Sequence, residues 1–307
     1  MIRQTQVYIY TALSILLWST VACAFKLALR EMDYAQTLFY ASWTATLALS
    51  LLRGARAVQV KLSERRIDAA EIKSSQFNLG RSFLQGLLNP FLYYLVLFQA
   101  YFRLPAQEAQ PLNWTWPITL ALLSSIVFKQ RLGWRTIIAA LVSFSGVWVI
   151  SLRGTASGWR LSDPLGDALA VGSSILWAGY WILNLKDDRE PLVKLWGSFL
   201  GGSLMITAAL PFISSFAVPT GRGLAAAVWI GLFEMGLTFI LWLKALNLAR
   251  DRNTVGILAY LTPFLSLIFI HYILGESIRT MSVIGLGLII AGVLIQVTRE
   301  ISKRGGE

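Results

Sequence analysis

Apolar positions in this chain gather into ten runs of about twenty residues, the length at which a helix rising about 1.5 Å per residue crosses the bilayer core. The pattern predicts membrane-spanning helices over 8–28, 34–52, 80–101, 106–128, 134–152, 165–185, 194–215, 224–246, 254–275 and 281–298. The second five runs repeat the first five. Trp18 to Lys26 (WSTVACAFK) is answered by Trp177 to Lys186 (WAGYWILNLK), and Pro117, Gln130 and Gly146 are answered by Pro263, Glu276 and Gly292 at a constant spacing of 146 residues. An odd number of spans per half inverts the second copy. The fold expected is therefore an all-α polytopic membrane protein, ten transmembrane helices in two inverted five-helix repeats, residues 1–152 and 153–307. Inverted repeats with proline-interrupted helices point to a secondary transporter.

Composition narrows the class. Hydrophobic residues make up 56% of the 307 and charged ones 14%, which leaves too little polar surface for a soluble domain of this size. The net charge of +11 is distributed against nucleic-acid binding, because 19 of the 27 basic residues fall in the two termini and alternate inter-span segments, Arg53 to Arg81 and Lys129 to Arg135 among them. That bias is the positive-inside signature, and it places both termini in the cytoplasm of an inner (plasma) membrane. The first run reads as a retained span and not a cleaved signal peptide. Residues 53–79 read as a mixed-charge amphipathic segment on the cytoplasmic lipid surface, and no extramembrane segment is long enough for a core of its own. The single cysteine, Cys23, excludes an internal disulfide and a cysteine metal site.

Catalytic patterns are missing. His271 is the one histidine, and no HExxH, GxSxG or CxxC occurs, so neither an enzyme nor a bound metal or cofactor is expected. Glycines inside apolar runs, such as Gly197, Gly201 and Gly202 or Gly285, Gly287 and Gly292, read as close helix packing.

Polar residues at membrane depth require a partner, a wet cavity or a function. Gln85, Asn89 and Tyr93 stand at i, i+4 and i+8 in the third span, one face of a helix; Glu234, Thr238 and Trp242 keep that spacing in the eighth, its counterpart. Two such stripes suggest opposite walls of one cavity, and hydrogen bonds gluing the bundle are the alternative. The fourth span carries Glu108, Gln110, Pro111, Asn113, Trp114, Trp116 and Pro117, and the ninth answers with Thr254, Tyr260, Thr262 and Pro263. Broken helices at equivalent places in two halves mark a candidate binding site, with Pro117 and Pro263 as candidate gating elements; a plain structural kink is the alternative. Trp18 and Trp177 are deep, repeat-related and candidates for the pathway wall. Lys26 and Lys186 end their spans where snorkelling to the interface also explains them, and Trp134 and Trp159 read as interfacial anchors.

The segments LLWSTVACAFK from Leu16, NWTWPITLALLSSIVFKQRLGW from Asn113, ILWAGYWILNLK from Ile175 and LAYLTPFLSLIFIHYILGE from Leu258 resemble EamA-like members of the drug/metabolite transporter superfamily, over about residues 8–298. Within that family the tryptophan and proline of Trp116 and Pro117, WST at Trp18 to Thr20 and the aromatic-rich sixth span are nearest the aromatic amino acid exporters. The resemblance implies a central cavity walled by the first, third, fourth, sixth, eighth and ninth helices, faced here by Trp18, Asn89, Asn113, Trp177, Glu234 and Tyr260. It departs from small multidrug efflux relatives, whose first helix carries an essential glutamate absent here. The function expected is alternating-access export of small amphipathic metabolites, with hydrophobic or aromatic amino acids the first choice. Transport of anionic metabolites through Lys26, Lys186 or Lys244 is the alternative, and a polytopic enzyme or scaffold is the reading of another class. The partners expected are a small-molecule substrate and the lipid bilayer, with no nucleic acid, and the chain is expected to act as a monomer.

Overall fold

The computed structural model describes residues 2–62, 76–129, 133–152, 163–215, 218–249, 255 and 258–304, with side chains for all of these except 2–3, 60–62 and 296–304. Gln130, Thr254, Trp159 and residues 63–75 of the segment 53–79 therefore lie outside the described residues. Every predicted span is helical: α1 (Ile2–Leu29), α2 (Tyr34–Leu62), α3 (Leu79–Arg103), α4 (106–127), α5 (Trp134–Ser151), α6 (Pro164–Leu185), α7 (Pro191–Ile213), α8 (Gly221–Leu248), α9 (Ala259–Leu274) and α10 (Thr280–Arg304). Among the described residues there is no strand. Six of the helices, α1, α3 and α5 to α8, are apolar and long enough to cross a bilayer by themselves.

α2 overruns its predicted end at 52, since a lone Gly54 is too weak a breaker to stop RGARAVQVKL. The extension is tied to the start of α7: Arg53 lies over the Trp196 ring, 4.3 Å from its centroid, and Arg56 pairs with Glu190. Residues 53–62 thus continue the axis of α2 and are not part of a separate surface segment.

Packing follows the repeat. α1 lies on α8 as α3 lies on α6; α1 meets α9 as α6 meets α4; α2 meets α8 as α7 meets α3. The pairs α2·α7 and α5·α10 each map onto themselves, and α5·α10 and α1·α8 are the most extensive contacts among the described residues. The α5·α10 contact is a seam of small residues. A Cβ on Gly146 would stand 2.4 Å from the carbonyl oxygen of Gly285, and one on Gly292 2.5 Å from that of Ala139, so only glycine permits the approach. Ser143 adds a hydrogen bond to the Ile289 carbonyl, 3.1 Å away. On its other face α5 exposes Ile137, Leu141 and Trp148, which is stable against lipid tails and not against water.

Three helices, α3, α4 and α8, are interrupted at depth, and α9 has a tight turn at its described start. α4 ends a first segment at Asn113, turns through Trp114 and Thr115, and restarts at Trp116; α9 opens with a tight turn, Ala259–Leu261, before Thr262. Pro117 and Pro263 both sit in the first turn of the restarted segment, where no intrahelical partner awaits their missing N–H. Both begin helical segments and do not kink uninterrupted ones. The repeat-related α3 and α8 break as well. α3 does so at Asn89 (φ −144°, ψ 118°), before Pro90, and α8 at Gly236 (φ −123°, ψ −93°).

Candidate functional site

Between α1, α3, α4, α6, α8 and α9 lies a cavity of about 240 Å³, walled by the three broken helices and by α1, α6 and the start of α9. Its wall is aromatic. Trp18 of α1 packs against Phe239 (ring centroids 5.6 Å apart) and Trp242 (5.4 Å) of α8. Trp177 of α6, the repeat counterpart of Trp18, meets the same Phe239 at 6.2 Å and lies 4.8 Å from Tyr93 of α3 at an interplanar angle of 31°. Trp114 meets Tyr260 edge to face at 6.2 Å. Offset and edge contacts of this kind hold the rings by their quadrupoles as well as by burial.

Glu234, at the end of the π-helical turn before the α8 break, is the charged residue on this wall among the described residues. One of its oxygens accepts a hydrogen bond from the Tyr94 hydroxyl at 3.0 Å, and no cation pairs with it among the described residues. Asn113, where α4 breaks, is held from both sides: its amide donates to Ser173 Oγ at 2.8 Å and its carbonyl accepts from Tyr93 OH at 3.3 Å. Gln110 and Thr262 supply neutral polar groups to the wall.

Of the residues that the sequence singled out, Trp18, Tyr93, Asn113, Trp114, Trp177, Glu234 and Tyr260 come together on this wall. Gln85, Asn89 and Thr238 do not. The reason is the pair of breaks: the i, i+4, i+8 spacing describes one face only of an unbroken helix, and the chain turns out of register at Asn89 and again at Gly236. Asn89 is buried in the break itself, and Thr238 is buried away from the cavity. Gln85 faces the loop between α6 and α7, donating to Asp187 at 3.0 Å and accepting from Arg189 at 3.1 Å. Pro117 and Pro263 flank the wall, and their neighbours Trp116 and Thr262 line it. Sequence reasoning passed over Tyr94, Trp181 and Phe239, which carry no pattern until α3, α6 and α8 are brought side by side.

The lysines turn elsewhere. Lys26 Nζ donates to the carbonyls of Tyr101 (2.7 Å) and Leu104 (3.0 Å), closing the C-terminal end of α3; Lys186 sits over Phe128 and the exposed Lys244 over Tyr10. Beside Lys26 the α9–α10 connection is clamped to the start of α4. The Glu276 carboxylate accepts the backbone N–H of Ala106 (2.9 Å) and Gln107 (3.3 Å), a helix N-cap supplied from the other half of the chain. Gln107 bonds Ser277 O at 2.9 Å and the Arg279 N–H at 2.8 Å, and Arg279 pairs with the buried Glu108. His271 bonds the Glu276 carbonyl through Nδ1 at 3.0 Å, an interfacial structural contact.

Broken, repeat-related helices around an aromatic cavity, in a bundle whose outer faces are apolar, define a multi-pass membrane protein of the transporter class. The chain belongs to the EamA-like transporter family, whose model matches residues 5–152 and 164–298. An uncharacterized transporter of Archaeoglobus fulgidus is 26% identical over 303 residues, 96% of this chain and 99% of the relative. The aromatic amino acid exporter YddG of Ancylobacter novellus is 24% identical over 60% of this chain and 64% of its own length, and a probable terminal-alkyne amino-acid exporter of Streptantibioticus cattleyicolor is 25% identical over 66% and 67%. A crystal structure 21% identical in sequence superposes with a TM-score of 0.65 over 99% of both chains, which establishes the fold.

Proposed function

We propose that this transporter exports small amphipathic metabolites across the inner membrane by alternating access, with amino acids bearing apolar or aromatic side chains as its substrates. The observation that carries the reading is the cavity: its aromatic wall suits an apolar side chain, and its volume suits a small solute. Two of the relatives are named as amino-acid exporters, which supports the same class. The two halves, 1–152 and 153–307, act as the inverted repeats, with Pro117 and Pro263 at the hinges where α4 and α9 restart. The clamp of Glu276, Gln107 and Arg279 then closes the outer end of the pathway. The anionic alternative lacks its cation, because Lys26, Lys186 and Lys244 are engaged away from the cavity.

Efflux of labelled amino acids from loaded cells, with and without the protein, tests this reading; efflux that does not depend on the protein for any of them would overturn it. Reporter fusions after Gly158 and Ser302 should face the periplasm and the cytoplasm, respectively, and the reverse result for either would refute the orientation. Pro117→Ala and Pro263→Ala should leave the protein inserted while slowing efflux, and unchanged turnover in both would remove the hinge role.

Selectivity should follow ring area. Trp177→Ala takes away the ring that touches both Tyr93 and Phe239, so transport of large apolar amino acids should fall about tenfold or more, with small ones less affected, since lost burial scales with the area removed. Comparing phenylalanine with alanine flux decides it. An equal fall for both would mean damaged packing instead.

A further inference from the structure

We infer that the cavity recognises its substrate by an ammonium group, and that a carboxylate on the substrate is dispensable for binding. The inference rests on the proposed transport reading and refines its substrate class. Glu234 presents the wall's charge, with one carboxylate oxygen oriented by Tyr94. The same cavity is lined by the rings of Trp18, Trp177, Phe239 and Trp242, a surface that attracts an organic cation through ring quadrupoles. The other polar wall groups, Gln110, Asn113, Thr262 and the hydroxyls of Tyr93, Tyr101 and Tyr260 among them, are neutral. No lysine or arginine stands among the described lining residues to receive a carboxylate, and Lys26 is committed to backbone carbonyls and Arg279 to Glu108.

The charge balance therefore favours a ligand that carries a positive nitrogen on an apolar or aromatic body. In a zwitterionic amino acid the carboxylate lies one carbon from the ammonium, so it enters the field of Glu234 and is repelled there, with no cation among the described lining residues to offset the repulsion. Arylalkylamines, and amino-acid amides or esters, keep the attraction and lack the repulsion.

Binding to the purified full-length protein in detergent, followed by quenching of its tryptophan fluorescence, tests the inference with three probes of matched ring: phenethylamine, phenylalanine and N-acetylphenylalanine. Phenethylamine should bind tightest and N-acetylphenylalanine weakest, with a spread of about tenfold or more, and Glu234→Gln should collapse that spread. N-acetylphenylalanine binding as tightly as phenethylamine, a spread that survives Glu234→Gln, or no binding by any of the three would each overturn it. Flux into proteoliposomes separates this from the transport reading. Discriminating binding without movement of any amino acid refutes the transport reading alone, whereas movement of phenylalanine with no preference for the amine refutes the ammonium inference alone.

Discussion

Glu234→Gln should reduce transport by at least about tenfold while leaving expression and thermal stability near those of the parent. The substitution preserves shape and keeps an acceptor for the Tyr94 hydroxyl. What disappears is the charge. A charge-assisted hydrogen bond is worth about 1.5–3 kcal/mol against about 1 kcal/mol for a neutral one, and each 1.4 kcal/mol is tenfold in binding. Tyr94→Phe is the companion variant: it releases the carboxylate from its orienting hydroxyl without removing the charge, so its effect on transport should be the smaller of the two. If flux of every tested substrate survived Glu234→Gln, the carboxylate would be an interhelical hydrogen-bonding group and the site would have to be sought around Asn113.

A large effect on stability should also come from Asp187→Ala, at a site remote from the cavity. Asp187 and Arg189, 5% and 8% exposed, form a pair at 2.7 Å in the loop between α6 and α7, and the same guanidinium donates to Ser82 (2.9 Å) and Gln85 (3.1 Å) on α3. Removing the carboxylate leaves a buried cation uncompensated, for which about 3 kcal/mol or more is expected. The double variant Asp187→Ala, Arg189→Met should recover much of that loss, and a double variant no more stable than the single one would show that burial of the charge is not the cause. The pair also has a pH signature. Burial raises the Asp187 carboxyl, but hydrogen bonds from Arg189 outweigh it and hold the group below its ordinary value; Asp33, bonded to the Gln36 and Ser215 N–H groups and two serine hydroxyls, behaves alike. Groups lowered in the folded state stabilise it fully above their unfolded value of about 4 and lose that contribution as pH falls through the folded value. Thermal unfolding in detergent should accordingly be flat in these two terms from pH 7 to about 5 and decline in more acid solution.

Hydropathy alone made the ten helices legible, because a bilayer leaves a chain little choice but hydrogen-bonded helices of one length. The repeat was legible too, through Pro117 and Pro263 and through Trp18 and Trp177. The candidate site was legible only in part. Tyr93, Asn113 and Glu234 stand where a polar residue at depth suggests, whereas Gln85, Asn89 and Thr238 were grouped with them by a helical period that the breaks in α3 and α8 interrupt. Nothing local foretells the unwinding at Gly236, since single glycines are common in apolar helices. Phe239 and Trp181 are ordinary apolar residues until tertiary packing sets them against Trp177.

The glycine seam between α5 and α10 determines how natural and engineered variation in this protein will read. A side chain at Gly146, Gly285 or Gly292 meets backbone, which cannot step aside as a side chain can, so even alanine there should cost the protein its abundance. None of the three lines the cavity. A saturation library scored for growth alone would therefore draw two overlapping maps, one of cavity positions and one of seam positions. Scoring the same library for the amount of folded protein in the membrane separates them: variants at Trp177 and Glu234 remain abundant but transport poorly, whereas seam variants are lost from the membrane altogether.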